Sequence, residues 1–306
     1  TSEDNGRLAI ARQLGQAACV EGYGEGCLRA GLLGEAKGGA LIAQGVAMLR
    51  RTCAELSDDS SCTILANLAF SGALGAADLR VAARAYDRTC AGGDPHTCVR
   101  LAELSEDGHP DVLQVARLSP GEYFEAACAL GLLRACTESL TRRWATSGGA
   151  LDAEIQEALR PLCDVGEADA CGVLARLHFM EGEAEGEGDV RARTLYERGC
   201  NLGSGSACNS YGMMTAAGLG GARAVSLAYD GFRRGCDMGE HEACMNAAWM
   251  EAQDLVHGQD PGLAHRQLKA ACARGDGESC HRASQLVSRD GDSDEAQTLM
   301  ERGCRL

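Results

Sequence analysis

The sequence predicts an all-α protein, an α-solenoid of helical hairpins with about 17 helices. Three observations support this prediction. The 17 cysteines form eight close pairs with one left over, and the first members of the pairs recur after 32 to 38 residues. A glycine follows the first cysteine at a fixed distance, and an apolar residue precedes it by one helical turn. A period near 36 residues indicates an array of supersecondary units.

The first half of each repeat has the pattern of a helix that ends at the first cysteine. Four residues before that cysteine the chain is apolar, with Gly15 the exception. Three residues after it stands a glycine, the usual left-handed helix stop, with Leu56 the exception. The glycines are Gly22, Gly93, Gly131, Gly166, Gly203, Gly239 and Gly275.

The second half of each repeat has the pattern of a helix that starts near the second cysteine. The residue before this cysteine is small, and the residue six after it is leucine or methionine except at Arg142. A glycine-rich or acidic gap then ends the helix, and the next helix leads to the next first cysteine. The predicted gaps are 38–39, 72–75, 108, 148–149, 182–188, 218–221, 258 and 291.

These elements predict a single repeat domain over residues 1–306, with a leading helix within 1–18. The eight repeats begin at Cys19, Cys53, Cys90, Cys128, Cys163, Cys200, Cys236 and Cys272. The segment from Asp107 to Gly121 contains Pro110 and Pro120 and is longer than the other gaps. We therefore expect the regular spacing to break there.

Composition excludes several classes of protein. An apolar content of 45% is too high for a disordered chain. The sequence contains no uninterrupted run of about 18 apolar residues, so we predict no membrane span. Only 4% of residues are aromatic and the net charge is −15, which argues against a nucleic-acid partner. Solenoids present long concave surfaces that normally recognise peptides or proteins, so the partner that we expect is a protein or a peptide.

The cysteine pairs favour disulfides over metal sites. Zinc sites use closely spaced C-x2–4-C pairs, which are absent, and the seven histidines follow no repeat, so we predict no metal. A turn of five or six residues can bring two helix ends to disulfide distance. The alternative is that the cysteines are buried small apolar residues of a cytosolic protein. The predicted bonds are Cys19–Cys27, Cys53–Cys62, Cys90–Cys98, Cys128–Cys136, Cys163–Cys171, Cys200–Cys208, Cys236–Cys244 and Cys272–Cys280.

Disulfides also predict the compartment, because they persist in oxidising surroundings. The polar start from Thr1 to Asn5 contains no export signal, so we expect that a signal or a lipid-anchored segment has been removed. The predicted location is the periplasm or the exterior of a bacterium. Cys304 occupies a first-cysteine position without a second cysteine. We expect a free thiol and a monomer, with a natural chain that continues to a second cysteine, or an intermolecular bond, as the alternatives.

Two segments resemble a known repeat family. Tyr196 to Gly203 followed by Ala207-Cys208, and Phe232 to Gly239 followed by Ala243-Cys244, resemble the tetratricopeptide-like Sel-one-like repeat, and within it the Helicobacter cysteine-rich proteins. The resemblance covers the whole chain, although the leucine-glycine pair expected after the second cysteine is mostly missing. It implies a right-handed superhelix of disulfide-tied hairpins in an exported protein.

The resemblance also raises two alternative functions. The cysteine-rich branch is linked to weak β-lactam binding and hydrolysis, and an assembly factor of the same repeat class binds haem. The sequence contains no S-x-x-K, no G-x-S-x-G and no C-x-x-C-H, and His241-Glu242 lacks the second histidine of a zincin pair. His178 and His257 lie in different repeats. We therefore predict a binding scaffold with no catalytic residues and no cofactor, and keep both functions as alternatives.

The resemblance implies that the helix after the second cysteine lines the concave side of the superhelix. Positions two and five after that cysteine then point away from the core. We expect arginines there to bind acidic groups, Asn67 and Asn246 to bind a peptide backbone, and Trp249 to anchor an apolar side chain. The alternative is that the arginines are solvated and pair with nearby glutamates. The predicted binding residues are Arg29, Asn67, Arg100, Glu103, Glu138, Arg176, Asn246, Trp249 and Arg282; Ile64, Val173, Ser210 and Gln285 occupy the same positions.

Overall fold

The computed structural model describes residues 2–33, 38–55, 59–72, 78–147, 153–181, 186–253, 255 and 262–304. These residues form 18 helices and no strand, so the prediction of an all-α fold is confirmed. The chain divides into two compact units, residues 1–139 and 140–306, and the repeat runs through both. Seventeen of the helices described follow the predicted order, and the additional one is the short α7.

The first nine helices belong to the first unit, with the last of them crossing its boundary. They are α1 Ser2–Val20, α2 Gly24–Leu32, α3 Gly38–Glu55, α4 Asp59–Ser71, α5 Leu79–Ala91, α6 Pro95–Glu106, α7 Pro110–Leu113, α8 Pro120–Ala129 and α9 Leu133–Thr146. The second unit contains α10 Ala153–Asp164, α11 Ala168–Glu181, α12 Glu187–Leu202, α13 Gly205–Ala217, α14 Val225–Asp237, α15 His241–Ala252, α16 Leu263–Ala273, α17 Gly277–Asp290 and α18 Ser293–Gly303.

Two kinds of helix alternate along the chain. A first-cysteine helix ends at the first cysteine of a pair, and a second-cysteine helix starts near the second. The first-cysteine helices from α3 on pack on the second-cysteine helix before them, as α14 does on α13; for α10 the contact joins Ile155 and Leu159 to Trp144 of α9 in one core cluster. In the second unit the second-cysteine helices α11, α13, α15 and α17 also touch one another in series. The predicted hairpins are therefore present.

The turn after each first cysteine has the predicted left-handed glycine. All seven glycines predicted there have positive φ, from 88° at Gly239 to 105° at Gly203. At Gly203 the backbone N–H donates to the carbonyl of Cys200, and the next N–H donates to the carbonyl of Gly199. These bonds satisfy the last carbonyls of the helix. Leu56, the exception, lies outside the described residues.

All eight predicted disulfides are present. The Cα atoms of each pair lie 4.4 to 4.8 Å apart. Small residues just before both cysteines allow this close approach: a Cβ added at Gly235 would lie 2.7 Å from the Cβ of Ala243, and one at Gly199 would lie 2.9 Å from that of Ala207. Cys304 is free and exposed.

The predicted gap 38–39 is wrong as a whole and the gap 182–188 is wrong at its end, because these glycines belong to helices. The predicted gap positions 73–75, 148–149, 182–185 and 258 lie outside the described residues. Helix α3 already begins at Gly38, and Gly188 lies in the first turn of α12. In α12 the acidic residues Glu187 and Asp189 stabilise the helix start, since negative charge is favoured at the N-terminal end of a helix. A compositional gap therefore marks the neighbourhood of a connection and not its limits.

The core follows the predicted periodicity. The residue three after the second cysteine is buried in all eight second-cysteine helices. These residues are Ala30, Leu65, Leu101, Ser139, Leu174, Tyr211, Ala247 and Ala283. The apolar residue four before the first cysteine is buried from Leu49 through Leu268, whereas Met300 in the last helix is exposed. The hairpins thus share one continuous pattern of burial within each unit.

The irregular segment between α6 and α8 is held by a polar network on the buried carboxylate of Asp87. The hydroxyl of Tyr123 donates to Asp87 Oδ1 at 2.8 Å, and the guanidinium of Arg117 donates to Oδ2 at 2.5 Å. The backbone N–H of Arg117 donates to the Tyr123 hydroxyl. Burial, with the hydrogen bond to Asp87, raises the pKa of Tyr123 to about 12. Val112 of α7 completes the packing as a fully buried side chain.

The described residues also bear on membranes and metals. None of the described helices is both long enough and apolar enough to cross a bilayer. Among the same residues, no group of three or more His, Cys, Asp and Glu side chains could hold a metal ion. His241 pairs with Asp276 at 2.8 Å and so links α15 to α17, and His178 is buried in α11. His257, named with His178 in the haem alternative, lies outside the described residues.

Candidate interaction surface

The candidate surface is the side of the second-cysteine helices that points away from the core, called here the second-helix face. It is defined by the positions two and five after each second cysteine. Positions three and, in most repeats, six are buried, so the residues between them point outward at helical spacing. In the first unit its residues are Arg29, Leu32, Ile64, Asn67, Arg100, Glu103 and Glu138. In the second unit they are Thr141, Val173, Arg176, Ser210, Met213, Asn246, Trp249, Arg282 and Gln285.

In the first unit, Arg100 of α6 joins two neighbouring second-cysteine helices. Its guanidinium carbon lies 4.3 Å from the ring centroid of Phe70 in α4, a cation–π contact. Its Nη1 lies 3.1 Å from Glu103 Oε2 on the same helix. Glu103 also pairs with Arg134 of α9 at 3.4 Å. The half-buried Glu138 lies one helix further on, in α9.

Asn67 also has a partner inside the protein. Its side-chain oxygen accepts a hydrogen bond from the Tyr86 hydroxyl at 2.7 Å. Burial raises the pKa of Tyr86, so this hydroxyl stays protonated and donates at neutral pH. The Asn67 amide group therefore offers a partner its NH₂ donors more readily than its oxygen.

Two further arginines of the second-helix face are paired with glutamates. Arg29 Nε lies 2.9 Å from Glu25 Oε1, one turn earlier on α2. Arg282 contacts Glu278 of its own helix at 2.7 Å and Glu242 of α15 at 2.5 Å. The alternative that arginines pair with nearby glutamates thus describes Arg29, Arg100 and Arg282. A partner carboxylate would have to displace an internal one at these three positions.

Arg176 differs from those three arginines. Its guanidinium carbon lies 4.3 Å from a ring centroid of Trp144 in α9, and Trp144 is buried. Within the part of the chain that the structure describes, no carboxylate forms an ion pair with Arg176. Because the ring orients the guanidinium without neutralising it, Arg176 retains its capacity for a carboxylate or carbonyl oxygen.

The second unit also exposes two large apolar side chains on this face. Met213 of α13 and Trp249 of α15 occupy the fifth position of adjacent helices and are 48% and 49% exposed. Beside them, Asn246 Nδ2 donates to Asn209 Oδ1 at 2.8 Å across the same two helices. The face therefore combines an apolar pair with amide groups whose orientation is fixed.

Sequence reasoning missed the aromatic partners on this face. Phe70 and Trp144 both stand eight residues after a second cysteine, and each lies under an arginine of the following second-cysteine helix. The signal was available in the sequence as this shared spacing. Met213 was also missed, although it occupies the fifth position that identified Trp249.

No protein-family model matches the sequence, and no curated protein matches it. Among solved structures, c5321, a protective antigen of uropathogenic Escherichia coli that displays an SLR fold, superposes with a TM-score of 0.56 at 14% identity, over 96% of this chain and 64% of its own. A Sel1 repeat protein from Oxalobacter formigenes gives 0.50 at 17% identity, over 96% of this chain and 86% of its own. This chain has the Sel1-like repeat fold. The predicted resemblance is thereby confirmed at the level of the fold.

The likeness to the Sel1-like repeat fold extends no further than the architecture. The chain spans 64% of the length of c5321, less than two thirds. The closer relation to the Helicobacter cysteine-rich proteins stays a prediction. In stacked helical repeats each unit contacts its neighbours, so successive units present one extended surface.

Proposed function

We propose that this chain is an exported scaffold that binds a protein or peptide partner on the second-helix face of its second unit. The observation that carries the proposal is the exposure of Met213 and Trp249 on adjacent helices. Tryptophan and arginine are enriched in interface hot spots, and this face of the second unit carries both Trp249 and Arg176. Neither side chain is needed for the core, since the neighbouring positions already fill it.

The binding mode follows from the groups around these two side chains. Trp249 and Met213 accept an apolar side chain of the partner, and Arg176, held by the ring of Trp144, accepts a carboxylate or a backbone carbonyl. The side chain of Asn246 is held in place by its hydrogen bond to Asn209. Its remaining amide donor and acceptor can therefore bind the backbone of an extended peptide with little loss of side-chain entropy. This set recognises an extended segment with an apolar residue near an acidic one.

Export is part of the proposal. Eight disulfides close the turns, and in ordinary bacteria such bonds persist in the periplasm or outside the cell. With the disulfides formed, the face is fixed before a partner arrives. We therefore place the partner in the envelope or the exterior.

The test is a peptide selection on the disulfide-intact chain. A displayed library of random peptides is selected on the wild-type protein, and the affinities of enriched peptides are measured for Trp249→Ala and for Met238→Ala. Met238 is a matched control, because it is 46% exposed but lies at a turn off the face. We expect Trp249→Ala to weaken binding about 10- to 100-fold and Met238→Ala to leave it unchanged.

Two results would contradict this function. Peptides that bind Trp249→Ala and Arg176→Ala as tightly as wild type would exclude the face. Turnover of nitrocefin by the purified chain, above a heat-killed control, would favour the β-lactam alternative. Visible absorbance of the purified protein would likewise favour haem binding.

A further inference from the structure

A small cavity lies between the disulfide turns of the seventh and eighth repeats, and none of its lining residues belongs to the second-helix face. Its volume is about 250 Å³. We call it the turn cavity. The seventh repeat lines it with Cys236, Asp237 and His241, and the eighth with Gln267, Ala270 and Asp276.

In the neighbouring repeats an arginine bridges two such turns. It stands two residues before the first cysteine and donates to the C-terminal end of the first-cysteine helix one repeat earlier. Arg198 Nη1 lies 3.0 Å from the carboxylate of Asp164, and its Nη2 lies 3.2 Å from the carbonyl oxygen of the same residue. A cation at this end of a helix is favoured by the helix dipole and satisfies the last carbonyls. Three more arginines donate to such a carbonyl: Arg88 to that of Cys53, Arg234 to that of Cys200 and Arg302 to that of Ala273.

The eighth repeat lacks this arginine. Ala270 stands at the position and lines the turn cavity with a methyl group. On the other side of the cavity, α14 ends in Asp237, as α10 ends in Asp164. The acceptors that hold a guanidinium between the fifth and sixth repeats are therefore present here without the side chain that would reach them. Ala126 of α8 lacks the arginine as well, but there the preceding helix α5 ends in Ala91 and not in an aspartate.

The two acceptors of the seventh turn can take further hydrogen bonds. The carbonyl oxygen of Cys200 accepts from a backbone N–H as well as from Arg234, and that of Cys236 accepts from the equivalent backbone N–H of Gly239. A carbonyl oxygen has two lone pairs, so the second is available at Cys236. The carboxylate of Asp237 has about four acceptor positions. Its partners are the neutral amide of Gln267 and, at 3.4 Å, the guanidinium of Arg233.

The charges around the turn cavity favour a cation. Two carboxylates line it, those of Asp237 and Asp276, against the single guanidinium of Arg274. Asp276 is held in place by His241, whose Nε2 lies 2.8 Å from the carboxylate. The C-terminal end of α14 adds partial negative charge at the same place. A guanidinium that enters the cavity thus meets a fixed carboxylate and a helix end together.

We propose that the turn cavity binds the guanidinium of an arginine side chain supplied by a partner protein. This guanidinium takes the place that Arg198 and Arg234 take between the neighbouring turns. It donates to the carboxylate of Asp237 and to the carbonyl oxygen of Cys236, the equivalents of the groups that those two arginines contact. The site goes beyond the second-helix face, since that face takes an apolar and an acidic residue whereas the turn cavity takes a basic one.

The experiment compares two small probes that differ in charge alone. N-acetyl-arginine methylamide is titrated into the full disulfide-bonded chain, and binding is followed by saturation-transfer NMR. N-acetyl-citrulline methylamide has the same shape without the positive charge. We expect saturable binding of the arginine probe with a dissociation constant of about 1–10 mM, and binding of the citrulline probe at least about tenfold weaker.

Protein variants locate the site. Ala270→Arg restores the arginine of the neighbouring repeats, so it should abolish binding of the arginine probe and raise the melting temperature by about 2 °C. Asp237→Asn should weaken binding about tenfold and leave folding intact, because Asp237 is exposed. Ala91→Arg is the matched control: it adds the same charge at an exposed position of the first unit and should bind the probe as wild type does. Trp249→Ala should also bind the probe normally, which separates this result from the proposed function.

Four outcomes would overturn the inference. They are equal affinity of the arginine and citrulline probes, unchanged binding to Ala270→Arg, unchanged binding to Asp237→Asn, and no saturable binding of the arginine probe up to about 50 mM. Equal binding of N-acetyl-lysine methylamide would show that the cavity takes any cation, and would overturn its assignment to a guanidinium.

Discussion

Removal of one disulfide should have a cost that the structure allows to be calculated. Cys200 and Cys208 are fully buried, and their Cα atoms lie 4.4 Å apart. The bond closes a loop of about nine residues, for which the chain-entropy model gives about 2.6 kcal/mol. Replacing both cysteines with alanine should therefore lower the free energy of unfolding by about 2.5 kcal/mol. Gly199 and Ala207 remain, so the helices can still approach as closely as before.

The measurement is guanidinium denaturation followed by circular dichroism, on the double variant and the wild type. Cys304→Ser is the control for loss of a thiol, because Cys304 is exposed and unbonded, and should change stability by less than about 0.5 kcal/mol. Each repeat is stabilised in part by its interfaces with the neighbouring repeats. Weakening one repeat should therefore make unfolding less cooperative and broaden the unfolding transition of the variant.

The reasoning would be refuted by a loss below about 1 kcal/mol in the double variant, or by an equal loss in Cys304→Ser. A reducing agent offers an independent check. It should destabilise the wild type more than it destabilises the double variant, since the variant has one bond fewer to lose. Equal effects would mean that this bond adds nothing to the stability of the folded chain.

Three further predictions concern single positions. The raised pKa of Tyr123 stabilises the fold fully below the unfolded value near pH 10, so stability should fall between pH 10 and about 12, and Tyr123→Phe should reduce that fall in an alkaline titration by circular dichroism, with Tyr86, Tyr196 and Tyr211, whose pKa values are also raised, contributing the rest. Gly203→Ala should cost about 1–2 kcal/mol because its φ is 105°, whereas Gly121→Ala, a helical glycine with open space around it, should be neutral or stabilising by thermal denaturation. Non-reducing peptide mapping should find the eight local bonds, and any dimer band on a non-reducing gel should vanish in Cys304→Ser.

The repeat could be predicted from sequence because its determinants are local. A disulfide over eight residues and a left-handed glycine three residues after its first cysteine, as at Gly203, act within one turn. Neither depends on a distant contact. The order of 17 helices and all eight bonds followed from these two features and the apolar residue one turn earlier.

The segment between α6 and α8 could not be predicted in the same way. The conformation of this segment depends on Asp87, which is 36 residues from Tyr123 in the sequence. The two side chains come into contact only when neighbouring repeats pack on one another. A buried aspartate has no sequence pattern of its own, and the prolines indicated only that the repeat would break. The short helix α7 and its buried Val112 were therefore missed.

The candidate surface was predictable in position but not in pairing. The periodicity predicted that Arg100 and Arg176 point away from the core, and in the structure neither side chain is buried. Their partners, Phe70 and Trp144, come from the preceding second-cysteine helix, so the contact depends on how neighbouring repeats register. A single sequence predicts which face of a helix a residue occupies. Which side chain of the neighbouring repeat it contacts is known only from the packed structure.

The same design explains why surfaces for binding remain available on a chain with few aromatic residues. Each turn is closed by a covalent bond, and small residues such as Gly235 and Ala243 let the backbones approach, so stability does not depend on large side chains at the outer positions. Trp249 can then be exposed without weakening the fold. Close backbone packing thus fixes the stack and at the same time leaves its outer positions free to vary with the partner.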